Sequence, residues 1–250
     1  MRGRSGSGSS VGRKMVWLLA VCLLAGLAIV KLGILAKPRA LLGRLDASYI
    51  VVNLAGGKFR VNPEIAEGSS RSERFSSMTG RLKPFAAICG TYYDPDYKPL
   101  GDIIVGGKRI CRGSQRQGVG FTSSGRIRFF ERKGRSRIDW TGCVSGIACG
   151  PRLVRGGKEN LNVRRDGFHP AAATNKAWRC AVGRTRDGKL ILCAVAESIT
   201  LGTLAELMIE LGAVDAVNMD GGSMCAFYSG GKICVHPAAP MSNILAVYAK

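Results

Sequence analysis

Hydrophobic residues along this chain come in short bursts, and most bursts are closed by glycine. Tyr49, Ile50, Val51 and Val52 place an aromatic and three β-branched residues in a row, which predicts a strand buried on both faces. Gly56-Gly57 turns the chain and Lys58 to Val61 runs back. Residues 64–81 are polar and serine-rich without a period, and read as a surface loop. Pro84 to Asp94 begins as a buried strand ending at Gly90-Thr91. Hairpins follow around Gly106-Gly107 and Ser124-Gly125, and Gly146 to Lys158 is a further strand and turn. Residues 159–177 form a second polar loop. Cys180 to Val195 is the clearest hairpin, with Asp187-Gly188 at its tip. A hairpin on Gly230-Gly231 and the strand NILAVYAK close the chain.

One segment carries the helical period. Leu204, Leu207, Met208 and Leu211 fall at i, i+3, i+4 and i+7, with Thr203 and Glu206 as a capping box and Gly212 as the left-handed exit. AVDAVNM then reads as a short inner strand running into Asp220-Gly221-Gly222-Ser223. The dipeptide alone reads as a turn. Behind a helix and a buried strand it becomes a carboxylate at a sheet edge where backbone can approach a ligand. The whole pattern predicts an α+β fold, mainly antiparallel or mixed β-sheet with few helices, as one globular domain over residues 47–250.

Ahead of that domain the pattern changes. Residues 1–14 form a basic, Gly/Ser-rich tail, and Met15 to Ala36 is apolar apart from Lys31. This predicts a transmembrane anchor or signal peptide, followed by a linker over 37–46. The preceding positive charges keep the tail in the cytoplasm, so the domain is expected outside, membrane-anchored or secreted. Val21 is too large to precede a lipidated cysteine at Cys22, and no small-x-small cleavage site stands out, which favours the uncleaved anchor.

The net charge is +20, and residues 1–44 hold eight Lys/Arg and no acid, leaving +12 for the remainder. The densest basic stretch is Lys108 to Arg137, with Lys108, Arg109, Arg112, Arg116, Arg126, Arg128, Arg132, Lys133, Arg135 and Arg137 against Glu131 alone. An exported domain argues against nucleic acid as the partner and for anionic glycans, wall phosphates or lipid head groups. Eight of nine cysteines follow the apolar run, which predicts at least two disulfides, with Cys143 and Cys149 as a local pair and free buried cysteines as the alternative. No CxxC occurs and histidine is limited to His169 and His236, so no metal site is expected. Strand-borne GxSxG and GxGxxG are absent, and no cofactor is expected.

With seventeen acids against thirty-seven bases, each acid near a strand end is informative. Asp220 is the first candidate, Asp102 in LGD the next and Glu197 in AVAES the third. A surface role is about as good an account of the last two. Arg179, ahead of the Cys180 strand, is suited to holding a phosphate bidentately.

The segments AAICGTYYDPDYKPLGDIIVGGK, CGPRLVRGGK, RCAVGRTRDGKLILCAV, LGTLAELMIELGAVDAVNMDGGSMCAFYSGGK and SNILAVYAK resemble the phosphodiester glycosidase family in order and spacing, over most of residues 84–250. The resemblance implies hydrolysis of a sugar-1-phosphodiester at its glycosidic bond in envelope or extracellular glycans. Such a bond already has a good leaving group and requires less acid assistance than an ordinary glycoside. Asp220 would oppose the positive centre and Arg179 would hold the departing phosphate. Gly221, Gly222, Ser223 and Thr91 would bind substrate. The chain departs from the family at Cys89, where Asn is frequent, at Cys180, where Thr is frequent, and at Met224, where Ser or Gly is frequent. The alternative is a non-catalytic glycan- or wall-binding protein of the same fold that uses its basic face. Oligomeric state is left open.

Overall fold

Among the described residues, sixteen short strands and two helices are arranged so that one sheet carries the acidic loop and another braces it. The structure, a computed structural model, describes residues 41–134 and 136–250. The basic tail and the apolar run lie outside these residues, as does the first part of the linker. No helix among the described residues is long and apolar enough to cross a membrane.

The first sheet contains six strands, among them β1 (Ala47–Val52), β9 (Arg152–Arg155) and β10 (Lys158–Glu159). The others are β11 (Ala177–Thr185), β12 (Leu190–Ile199) and β13 (Ala213–Asn218). Their order is β1-β12-β11-β13-β9-β10. A second sheet orders as β15-β14-β3-β16-β2. Its strands are β2 (Phe59–Ile65), β3 (Ala86–Cys89), β14 (Phe227–Ser229), β15 (Lys232–Val235) and β16 (Asn243–Ala249). The third orders as β5-β4-β8-β6-β7. It is built from β4 (Ile103–Val105), β5 (Lys108–Cys111), β6 (Gln117–Phe121), β7 (Ile127–Glu131) and β8 (Ser145–Cys149). Every strand pairing is antiparallel, so the mixed alternative falls away.

The six-stranded sheet is covered on both faces. Cys180, Val182, Leu192, Ala194 and Val217 face the central core shared with the other two sheets. Ala181, Ile191, Cys193, Val195 and Ala216 face a second core. That second face is roofed by α2 (Leu201–Glu210), which buries Leu201, Leu204, Ala205, Leu207 and Met208. Double coverage is why β12 reads as a continuous apolar run rather than an alternation. Leu41, Leu42 and Leu45 of the expected linker pack against the second core, and the Leu41 amide donates to Glu210 at 3.0 Å.

Four local expectations are corrected. The strand at Tyr49–Val52 is an edge strand, with Tyr49 36% and Val51 44% exposed, because β1 pairs only with β12. The stretch 64–81 is no plain loop. It contains α1 (Phe75–Leu82), which buries Phe75, Met78 and Thr79 and ends on a left-handed Lys83 at φ 47°. The cap of α2 is Thr200, whose hydroxyl accepts from the Thr203 amide at 3.2 Å, and Glu206 is exposed. With Leu201 buried in the second core, the helix starts ahead of Thr203, which lies within its first turn. Finally, the eight cysteines of the described residues are free thiols. Cys143 packs toward Gly120 beside Trp140, whereas Cys149 belongs to the central core, so the expected local pair is not joined.

Candidate active site

The site is built where β13 ends and its continuation folds over the first turn of β11. The Met219 amide donates to the Cys180 carbonyl at 2.9 Å, and the Asp220 amide donates to Gly90 at the end of β3 at 3.1 Å. Two sheets therefore converge on Asp220. Gly221 rides directly on β11, where a β-carbon would lie 2.7 Å from the Trp178 carbonyl oxygen and 3.6 Å from the Arg179 Cα. This close approach, rather than a turn conformation, is what requires glycine there. Gly222 has φ +60° and open space around it. Gly222 to Met224 form one 3-10 turn, and the amides of Gly222 and Ser223 have no hydrogen-bond partner among the described residues.

Asp220 is partly buried. One carboxylate oxygen, Oδ1, accepts from the Gly221 amide at 2.9 Å, and Oδ2 accepts from no described group. Burial pushes its pKa up to about 7, only partly opposed by the Gly221 hydrogen bond. No cation pairs with it among the described residues. A carboxyl poised at neutrality with one open oxygen is suited to a role that needs it ionised in one state and protonated in another.

Arg179 is half-buried and held by two carbonyls, with Nε donating to Ile199 at 3.3 Å and Nη2 to Asn175 at 2.6 Å. Its Nη1 donates to no described group. It makes no ion pair with Asp220, although the two residues lie on segments in backbone contact. Tyr92 feels both. Burial is the main cause that pushes its phenol up, with Asp220 adding to the rise and Arg179 opposing it. The Tyr92 hydroxyl donates to the Gly150 carbonyl at 2.8 Å and accepts from Asn218 Nδ2 at 2.6 Å, while Phe168 packs edge-on at 5.6 Å.

The remaining sequence candidates separate. Gly221, Gly222 and Ser223 form the loop itself. Thr91 is 1% exposed, its backbone clamped on both sides by Asn243, at 2.7 Å through the amide and 3.1 Å through the carbonyl. Asp102 is 5% exposed and its carboxylate is engaged by the Gly113 amide, the Trp140 indole N–H and Arg109, at 3.0, 3.0 and 3.1 Å. Glu197 accepts from the Asp46 amide at 2.8 Å, where it holds the entry to β1. Neither carboxylate shares a partner with Asp220.

Tyr92, Tyr93, Asn218 and Asn243 lie around Asp220 or brace its approach, and none was singled out from sequence. The signal available was position alone: Tyr92 and Tyr93 follow the Gly90-Thr91 strand end, and Asn218 is the last residue of β13. Tyr93 donates to the Met224 sulfur at 2.6 Å and to the Pro240 carbonyl at 3.2 Å, so Met224 caps a phenol that a smaller residue would leave open. The other two departures lie beneath the loop. The Cys89 thiol donates to the Asp220 carbonyl at 2.7 Å, and the sulfurs of Cys180 and Cys225 are 3.2 Å apart. Burial pushes the Cys89 thiol up to about 11, so it stays protonated at neutral pH. Among the described residues, no group of three or more His, Cys, Asp and Glu side chains is placed to hold a metal ion.

A partly buried carboxyl and a half-buried guanidinium thus lie on neighbouring segments, beside two amides without partners among the described residues. The phosphodiester glycosidase family profile matches residues 83–248, about two thirds of the chain, and the chain belongs to that family. The fold agrees with solved structures. A hypothetical protein from Synechocystis superposes with TM-score 0.73 at 16% identity, covering 82% of this chain and 59% of that one. The catalytic domain of zebrafish N-acetylglucosamine-1-phosphodiester alpha-N-acetylglucosaminidase, auto-inhibited by its pro-peptide, gives 0.64 at 17% identity, covering 85% and 94%. A Burkholderia pseudomallei protein described as exported gives 0.58 at 12% identity, covering 76% and 71%. This chain thus spans 59% of the Synechocystis protein's length. No curated protein matches it.

Proposed function

We propose that the chain hydrolyses the glycosidic bond of sugar-1-phosphodiesters in envelope or extracellular glycans, without a cofactor. The observation that carries the reading is Asp220. It is a partly buried carboxyl, pushed up to about 7, with one oxygen free, on a loop laid over the Arg179 strand. In the reaction the C1–O bond breaks and its electron pair leaves with the phosphate oxygen. Ionised Asp220 opposes the positive charge that grows at C1, and water supplies the new hydroxyl while its other proton passes to the departing phosphate. The free Nη1 of Arg179 and the Gly222 and Ser223 amides receive the departing phosphate. A phosphate monoester leaves as a stable anion, which is why one carboxyl suffices where other glycosidases use two.

The test is turnover of a panel of sugar-1-phosphodiesters by wild type and Asp220→Asn. The reading expects the variant to keep its circular dichroism and lose activity by on the order of 10³-fold. Equal turnover in both sinks it.

One observation favours the second reading, a binding protein of the same fold: Met224 occupies the Tyr93 phenol beside the carboxyl. That reading expects no turnover by the wild type, and affinity for anionic glycan that falls steeply with salt. We further propose that the domain lies outside the cytoplasm, anchored through residues 15–36 or secreted.

A further inference from the structure

A cavity of about 350 Å³ opens on the Gly222–Ser223 turn, with Trp178, Ser198, His236 and Ala238 on its walls. A second, of about 290 Å³, reaches Arg74 at the start of α1. His236 and Ala238 line both, so the two cavities adjoin as one groove. We propose that this groove holds a glycan chain, and that the substrate is a polymer of sugar phosphodiesters rather than a single sugar unit. The proposal rests on the hydrolase reading of the adjoining loop.

Four features favour that occupant. Trp178 is 38% exposed, an unusual outlay of indole surface unless something flat covers it. The C–H face of a pyranose is flat and apolar, and its rim is hydroxylated. The hydroxyls of Ser198 and Ser223 and the imidazole of His236 donate and accept, as such a rim requires. No carboxylate lines either cavity, and Arg74 joins none of the ion pairs among the described residues, so the groove suits a chain bearing negative phosphates. The segment shared by the two cavities is also fixed in advance. The Ala238 amide donates to the Ser223 carbonyl at 2.7 Å, and Tyr93 holds the Pro240 carbonyl. Each cavity is near the lower end of small-ligand site volumes, so the pair accommodates successive units of one chain rather than one large ligand.

The experiment measures binding by calorimetry to the Asp220→Asn protein, in which turnover is expected to be on the order of 10³-fold slower. The probes are phosphodiester-linked oligomers of one to four repeats built on N-acetylglucosamine, N-acetylmannosamine or glucose 1-phosphate. For at least one sugar, affinity should rise tenfold or more between one and three repeats. Trp178→Ala should flatten that series, and Ala238→Trp, which fills an exposed part of the groove, should flatten it independently. A flat series for all three sugars in the parent, or a rise that survives both substitutions, overturns the groove. Hydrolysis by the wild type is scored separately. Length-dependent binding without turnover removes the hydrolase reading and keeps the groove, whereas turnover with a flat series does the reverse.

Discussion

At Asp220 the environment sets both the chemistry and its pH dependence. The folded carboxyl titrates near 7, above its ordinary value of 3.8, because burial disfavours its charge. If the ionised form is the active one, kcat/KM rises with pH through about 7 and levels above it. A profile that falls through that range would assign the protonated form instead. The same shift has a stability consequence of opposite sign to a salt-bridged aspartate. Between about 4 and 7 the folded state holds a proton that the unfolded chain has lost, so stability falls as pH rises through that window, by at most about 1.4 kcal/mol per pH unit. Asp220→Asn lacks this slope. Thermal melts at pH 5 and pH 8 should therefore show the variant gaining on the wild type at the higher pH. Arg179 makes a second residue-scale test. Arg179→Lys keeps a charge but loses the planar fork and the two carbonyl contacts, and should cost on the order of 10²-fold in kcat. Full activity in the lysine variant would show that the guanidinium does not meet the phosphate.

At the scale of elements, the site depends on how closely β3, β11 and β13 approach one another. A β-carbon on Gly90 would fall 1.9 Å from Asn243 Oδ1, the atom that clamps the Thr91 amide. Gly90→Ala must displace Asn243 and with it the strand end that receives the Asp220 amide. A loss of about 2–3 kcal/mol in denaturant unfolding is expected, and an unchanged midpoint would show the clamp to be slack. These approaches explain what could be read in advance. The hairpins at Gly106-Gly107, Ser124-Gly125, Asp187-Gly188 and Gly230-Gly231 were legible because their turns write themselves in local sequence. The apolar stripe of α2 and the inner strand ending at Asp220 were legible for the same reason. The partners of Asp102 and Glu197 were not, since Trp140 and the Asp46 amide are distant in sequence and supply no local pattern. Tyr92 and Asn218 escaped likewise, because each looks like an ordinary strand-end residue until the other sheet arrives. The helix α1 was hidden differently. Phe75, Met78 and Leu82 carry its spacing, but the five other residues are small or polar and mask the stripe.

Across the whole molecule, three antiparallel sheets share one central core, and the helix α2 closes a second behind the loop-bearing sheet. The segments that carry the family resemblance span β3, β9, the β11–β12 hairpin, α2 with β13, and β16. The proposed anchoring belongs to this scale too. Full-length protein should sediment with membranes, and a chain starting at Leu41 should stay soluble and active, since residues 41–250 form a compact unit. Soluble full-length protein would remove the anchor. The central claim, however, concerns which bond breaks. Hydrolysis of a sugar-1-phosphodiester in H₂¹⁸O, followed by mass analysis of the phosphate product, decides it. The account predicts a phosphate monoester free of ¹⁸O, since water adds at C1. An ¹⁸O-labelled phosphate would mean attack at phosphorus and would contradict it.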